Sequence, residues 1–433
     1  MYRDRFKISI NHGDESLVAY ALVLMMFFVT YMSSLSILVI SSRMALQAIQ
    51  ICAFLLYLCY KPYKKHCDIR KRQFNIFVLF ILLQVLHGFI LYLDNDLIYA
   101  VTFCAFFIVA GTDTKWQVPL IKVLGFMGIV YALSTLILIP LKTLYINHIA
   151  PIYTGTYSRL LEWYSQGHYP GITDHYSTNG MMLINGLLFF VSALFYNYKN
   201  NINIKKYKGI FCFLLMFVAL IMCGKRAHLL FGVIAFILGY FVYTSNEKNR
   251  YFKYFGIICA LLVLLIFGYY FIPAINSVVS RFFDMGEDVS ILGRYEFWDA
   301  ALRAFDDNRI FGIGWFGFRT IVAPTVFYTG HAHNVYIQLL CETGIVGFSV
   351  IMISFAYFLY KGYRALYYVA HNKNIIRRNM QILVLFAFMY QIYFLLYCAT
   401  GNPLYDVYVF PVYFASCSIS TLYSNCFKER AES

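Results

Sequence analysis

Apolar residues occur in runs of roughly twenty, separated by short charged connections, and a helix of that length crosses the ~30 Å hydrocarbon layer of a bilayer. The runs fall at 17–40, 44–60, 74–92, 97–112, 117–141, 179–196, 209–223, 228–243, 255–272, 335–360, 380–398 and 406–424. They predict an all-α, polytopic transmembrane helix bundle of about twelve spans, a single integral membrane domain over 1–433. The run at 97–112 carries the weakest pattern. The first run is too long for a signal peptide, and no small-residue cleavage site follows it. Two longer polar stretches, 142–178 and 273–334, interrupt the pattern.

Composition agrees with that pattern. Hydrophobic residues make up 61% of the chain and charged residues 13%, whereas soluble domains carry about a quarter charged. Lys and Arg gather in alternate connections, including Lys61 to Arg72, Lys199 to Lys208, Lys248 to Lys253 and Lys361 to Arg378. The positive-inside rule makes that side cytoplasmic, with both termini inside and the loops at 142–178 and 273–334 facing outward. The net charge of +14 then follows from a basic rim facing anionic lipid, with no nucleic-acid partner implied. Cys52, Cys59, Cys104, Cys212, Cys259 and Cys417 are among the cysteines that fall inside apolar runs, neither long outer loop contains a cysteine, and no CxxC pair occurs. Neither a disulfide framework nor a thiolate metal site is indicated.

Arginines on the outer side run against the charge rule. Lys225 and Arg226 occupy a hairpin of a few residues between two spans; Arg294, Arg303, Arg309 and Arg319 lie in the late outer loop. Arginine offers a planar fork of donors that matches phosphate oxygens, although snorkelling to lipid headgroups is the ordinary alternative. From Arg294 onward, Phe297, Trp298, Ala301 and Phe305 recur at helical spacing. They predict an amphipathic helix on the outer membrane surface, stopped by Asp306-Asp307-Asn308 and followed by a glycine-punctuated turn at Phe311 to Phe318. His331 and His333 precede the next span, where Asn334 can cap the helix beginning at Val335. An imidazole there can accept a proton from a sugar hydroxyl. His-x-His alone supplies two metal ligands and no third stands out, so no metal site and no cofactor are expected.

Three patterns occur in one order: Cys223-Gly224-Lys225-Arg226-Ala227, Gly293-Arg294-Tyr295-Glu296-Phe297-Trp298, and His333-Asn334-Val335-Tyr336-Ile337-Gln338 running into Glu342-Thr343-Gly344. Together they resemble the bacterial O-antigen ligase and Wzy-type polysaccharide polymerase superfamily, mainly over residues 170 to 350. The resemblance implies metal-independent, inverting glycosyl transfer at the outer face of the bacterial cytoplasmic (inner) membrane. The donor it implies is an undecaprenyl-pyrophosphate-linked oligosaccharide, and membrane lipids, a flippase and a chain-length regulator are the implied partners. Arg226 and Arg294 match the family arginines that hold the pyrophosphate, and His333 matches the histidine that assists the attacking hydroxyl. Lys225 stands where a small or polar residue would be more typical.

Lys225, His331, Asn334, Arg303, Arg319, Trp163 and His175 are the expected substrate contacts. The last two belong to an aromatic group in the loop 142–178, with Tyr145, His148, Tyr153, Tyr157, Tyr164, Tyr169 and Tyr176. Such faces can stack on sugar rings or form an interfacial belt. The segment Gly312 to Phe318 favours a polymerase; a ligase transferring glycan to the lipid A core is the alternative. A precursor transporter or flippase would instead require broken helices and ionisable groups near mid-membrane.

Overall fold

The structure, a computed structural model, describes residues 83–88, 90–92, 117–153, 155–199, 203–271, 276, 280, 289–327, 330–406 and 409–432. Its helices are α1 (Gln117–Leu138), α2 (Tyr157–Ser165), α3 (Tyr176–Lys199), α4 (Asn203–Cys223), α5 (Arg226–Tyr243), α6 (Arg250–Phe271), α7 (Val289–Asp307), α8 (Val335–His371), α9 (Arg378–Cys398) and α10 (Phe410–Glu432). Residues 83–88 and 90–92 are also helical, and no strand occurs among the described residues. By length and composition α1, α3, α5, α8 and α9 can each cross a membrane. The protein is an all-α, multi-pass membrane protein. Shorter or less apolar helices form at the expected segments 209–223, 255–272 and 406–424. The expected spans 17–40, 44–60 and 97–112 and most of 74–92 lie outside the described residues.

Described residues of Lys115–Phe282 and Leu366–Tyr390 form one compact unit, and those of Pro62–Thr114, Phe283–Ala365 and Gln391–Ser433 form a second. In the first, α1, α3 and α4 pack together. A Cβ on Gly128 would come within 2.7 Å of the Cα of Gly186, with the Met216 sulfur 2.9 Å away. Glycines at this crossing let the α1 and α3 backbones touch, a close approach that stands in for the hydrophobic force lipid cannot supply. Asn179 on α3 donates to Thr135 Oγ1 at 2.8 Å and to the Tyr169 carbonyl at 3.0 Å, tying the loop before α3 to α1.

That loop folds around a small core of its own. Tyr145, Tyr153, Leu160 and Tyr164 are buried together with Leu138 and Ala150. Tyr164 donates to the carbonyls of Leu138 and Ile139 at 3.0 Å each, and Tyr145 stacks on Tyr164 at 4.7 Å between ring centroids. Burial raises the pKa of Tyr145 and Tyr153 above the ordinary phenol value. Three of the aromatics expected on a sugar-stacking surface therefore hold the loop together.

In the second unit α8 is not one continuous helix. Gly344 has φ 61° and ψ −174°, and the break frees backbone groups that lipid cannot satisfy. The segment after α7 satisfies them: Ile313 and Gly314 N–H donate to the carbonyls of Cys341 and Glu342 at 3.1 and 2.8 Å, and Ile345 and Val346 N–H donate to those of Arg309 and Ile310 at 2.8 and 3.2 Å. The two backbones lie so close that a Cβ on Gly312 would sit 2.5 Å from the Gly344 nitrogen, and one on Gly344 would sit 2.3 Å from the Ile310 oxygen. Helix α7 covers the sequence expected to be amphipathic and ends at Asp307. Its apolar face is taken up by protein: Ala300 and Ala301 are buried with Phe318, Val322, Ala323, Ala332 and Cys341, and Phe297 and Trp298 pack against them.

Candidate active site

In the second unit the chain turns from the loop into α8 under several constraints. Asn334 Oδ1 accepts from the N–H groups of Tyr336 and Ile337 at 3.0 and 3.2 Å, the expected cap. His333, just before it, has φ 54°, a left-handed conformation that costs a non-glycine residue about 1–3 kcal/mol. The neighbours hold it there. The Ala332 N–H donates to Gln338 Oε1 at 3.1 Å, and the Ala332 carbonyl accepts from Trp298 Nε1 at 2.7 Å. Strained residues held in place by their surroundings cluster at functional sites.

The two imidazoles stand in different surroundings. His333 Nδ1 lies 3.2 Å from Asn402 Nδ2, while Asn402 Oδ1 is buried without a hydrogen-bond partner among the described residues. Turning the amide presents that oxygen to a protonated Nδ1, the tautomer in which Nε2 keeps its lone pair. His331 Nδ1 faces Gln338 Nε2 at 3.1 Å, and its ring packs against Tyr405 at 5.0 Å. Burial, the nearby Arg319 guanidinium and His333 lower the pKa of His331 to about 3.

Behind them lies a buried carboxylate. Glu342 Oε1 accepts from Gln338 Nε2 at 2.9 Å and from the Phe318 N–H at 3.3 Å, and Oε2 accepts from the Tyr405 hydroxyl at 2.6 Å. Gln338 and Glu342 stand one turn apart on α8, a spacing that sequence could have flagged as a polar face in an apolar span. Tyr405 and Asn402 come from the connection between α9 and α10, which carried no signal.

The arginines separate into kinds. Arg303 pairs with Asp299 one turn away, and Arg309 pairs with Asp306 at 2.9 Å; all four side chains are largely exposed. Arg294 is half-buried on α7 and makes no hydrogen bond or ion pair with another described residue. Arg319 sits half-buried in the π-helical turn Phe318–Val322.

The first unit gathers a different set. Lys225 is the N-cap residue of α5, with extended backbone, and Arg226 is its first helical residue, so two cations coincide with the positive end of the helix dipole. Lys225 Nζ lies 5.6 Å from the Tyr176 ring centroid. Tyr176 stacks on His175 at 4.7 Å and on His168 at 5.0 Å, and Trp163 meets His175 edge-on at 4.3 Å. The Cys223 thiol donates to the Tyr176 carbonyl at 2.7 Å, fixing the hairpin beneath this pile. Trp163 and His175 are thus brought to the Lys225–Arg226 hairpin, half-buried. Among the described residues no three His, Cys, Asp or Glu side chains converge as a metal site.

Residues 211–352, about a third of the chain, match the family profile described as O-antigen ligase. Over that segment the chain is similar to the O-antigen ligase family. No curated protein matches it significantly. The matched segment contains Arg226, Arg294, Arg319, His331, His333, Gln338 and Glu342. That similarity points to a membrane enzyme of the glycosyltransferase kind.

Proposed function

We propose that the protein is a polymerase of lipid-linked oligosaccharide repeat units, acting outside the bacterial inner membrane by metal-independent, inverting glycosyl transfer. The observation that carries this reading is His333, held in a strained backbone conformation at the mouth of α8 with Asn402 able to fix its tautomer. His333 Nε2 takes the proton of an acceptor sugar hydroxyl as its oxygen bonds to the anomeric carbon from the face opposite the leaving group. The bond from that carbon to the pyrophosphate oxygen breaks, and the electron pair leaves with undecaprenyl pyrophosphate. Arg226 and Arg294, the residues matching the family arginines, neutralise the developing charge. Lys225, Trp163 and His175 at the α5 hairpin, with Arg319, His331 and Asn334 beside His333, serve substrate binding.

A ligase differs only in its acceptor, and the family description names that activity. The glycine-punctuated segment Gly312 to Phe318 supports the polymerase reading. The transporter reading gains one feature from the structure, since α8 is broken next to the buried Glu342. The freed backbone groups are used by the segment 309–314 and not left for an ion, so the break reads as support for the loop. Purified protein supplied with lipid-linked repeat units and excess chelator should form polymer, and His333→Ala should lose about 10²- to 10⁴-fold in rate. Unchanged polymer from His333→Ala, or activity that depends on an added divalent ion, would overturn the assignment.

A further inference from the structure

We propose that His331 is a neutral donor, presenting Nε2–H to a phosphate oxygen of the lipid-linked donor beside Arg319, and that Gln338, anchored by Glu342, is the positioning residue that imposes this tautomer. The inference rests on the functional reading above and assigns the second histidine a task different from that of His333.

The direction of each hydrogen bond follows from what Gln338 can offer. Its Oε1 is committed to the Ala332 N–H at 3.1 Å, so the amide cannot be turned without leaving two donors face to face. Its Nε2 then carries two hydrogens, one donated to Glu342 Oε1 at 2.9 Å and the other aimed at His331 Nδ1, 3.1 Å away. Nδ1 must therefore supply its lone pair, which leaves the ring proton on Nε2. Glu342 holds Gln338 from the other side, being buried and itself fixed by the Phe318 N–H and the Tyr405 hydroxyl. The Tyr405 ring packs against the imidazole, tilted 32° from its plane.

The charged or titratable groups facing His331 are Arg319, His333, Tyr405 and, through Gln338, Glu342. Burial and the neighbouring cation keep its pKa near 3, so the ring stays neutral at physiological pH. An imidazole whose Nδ1 lone pair is occupied and whose Nε2 carries the proton cannot act as a base. Its remaining capacity is one N–H donor next to a guanidinium, a combination that fits phosphate oxygens.

The test is direct binding of undecaprenyl pyrophosphate, without sugar, to the full-length protein in nanodiscs. His331→Ala should weaken binding about 10- to 100-fold, whereas His331→Gln, whose amide nitrogen replaces Nε2–H without a tautomer to fix, should recover most of it. Gln338→Leu should weaken binding when residue 331 is His and add little when it is Gln. Equal weakening by Gln338→Leu in both backgrounds would reduce Gln338 to a structural role and overturn its assignment. His331→Gln binding as poorly as His331→Ala would overturn the donor role, and binding unchanged in His331→Ala would transfer the contact to a sugar oxygen. Wild-type protein that binds the pyrophosphate but transfers no glycan would overturn the functional reading and leave this one standing.

Discussion

The indole Nε1 of Trp298 donates a 2.7 Å hydrogen bond to the carbonyl of Ala332, the residue before His333. Trp298 stands one turn beyond Arg294 on α7, so the two share a helical face. A single bond thus ties the helix that carries the half-buried arginine to the strained backbone that carries the histidine. Trp298→Phe keeps most of the packing volume but leaves the Ala332 carbonyl unpaired, at a cost of about 1–3 kcal/mol. The expected outcome is a folded protein whose transfer rate falls about tenfold or more, because a small misplacement of a catalytic group is expensive. Wild-type rates in a reconstituted polymerisation assay would show that the bond does not position His333.

The arginines should not be equivalent. Arg294 has no protein counter-ion among the described residues, and Arg226 stands at the positive end of α5. Loss of a positioned charge donor costs about 10²- to 10³-fold, so Arg294→Ala and Arg226→Ala should each fall in that range. Lysine should restore part of the rate, keeping the charge without the fork. Arg303→Ala should stay within about threefold of wild type, since Arg303 is exposed and paired with Asp299 and exposed pairs contribute little. A large loss at Arg303 with none at Arg294 would reverse the assignment.

Much of this was legible in the sequence, for reasons that differ by residue. The helices at 117–141, 179–196, 228–243, 335–360 and 380–398 follow from run length alone, and Asn334 declared itself as a cap by chemistry and place. The break at Gly344 was hidden because apolar residues resume directly after it at Ile345 and Val346, so the run keeps its length; only the segment 309–314, folding back against it, shows why glycine stands there. Tyr153 and Tyr164 read as sugar-stacking candidates because composition does not distinguish a loop's own core from its surface. Tyr405 and Asn402 reach the histidines through tertiary structure, which no local pattern encodes.

His331 gives the protein a pH dependence of known sign. Its pKa falls from 6.5 to about 3 in the folded protein, so between those values the unfolded chain binds the proton more readily. Stability from this group is fully present above about pH 6.5, declines as pH falls toward 3, and changes no further below that. The thermal midpoint of wild-type protein should therefore drop between pH 7.5 and pH 5 by more than that of His331→Gln, which has no titrating group at this position. Parallel profiles for the two proteins would mean that His331 is solvated in the folded state.

Sidedness decides whether the site meets a translocated glycan or a cytoplasmic one, and contacts within each unit already sort the connections. Lys373 lies 3.5 Å from Glu247, which places the α5–α6 and α8–α9 connections together, as the alternation of basic loops requires. The Tyr169 N–H donates to the Met222 carbonyl at 3.3 Å, joining the loop 142–178 to the Lys225–Arg226 hairpin. His333 meets Asn402 at 3.2 Å, joining the loops before α8 and after α9. Lysine and arginine concentrate in the first set, so the second should face outward. Single cysteines replacing the exposed Glu162 or Asp307 in a background depleted of the eleven native cysteines should react with a membrane-impermeant maleimide on intact cells. One replacing the exposed Asn374 should react only after lysis. The reverse pattern would put Arg226 and His333 in the cytoplasm, where a flipped lipid-linked glycan never appears, and the reaction would have to draw on a soluble activated sugar instead.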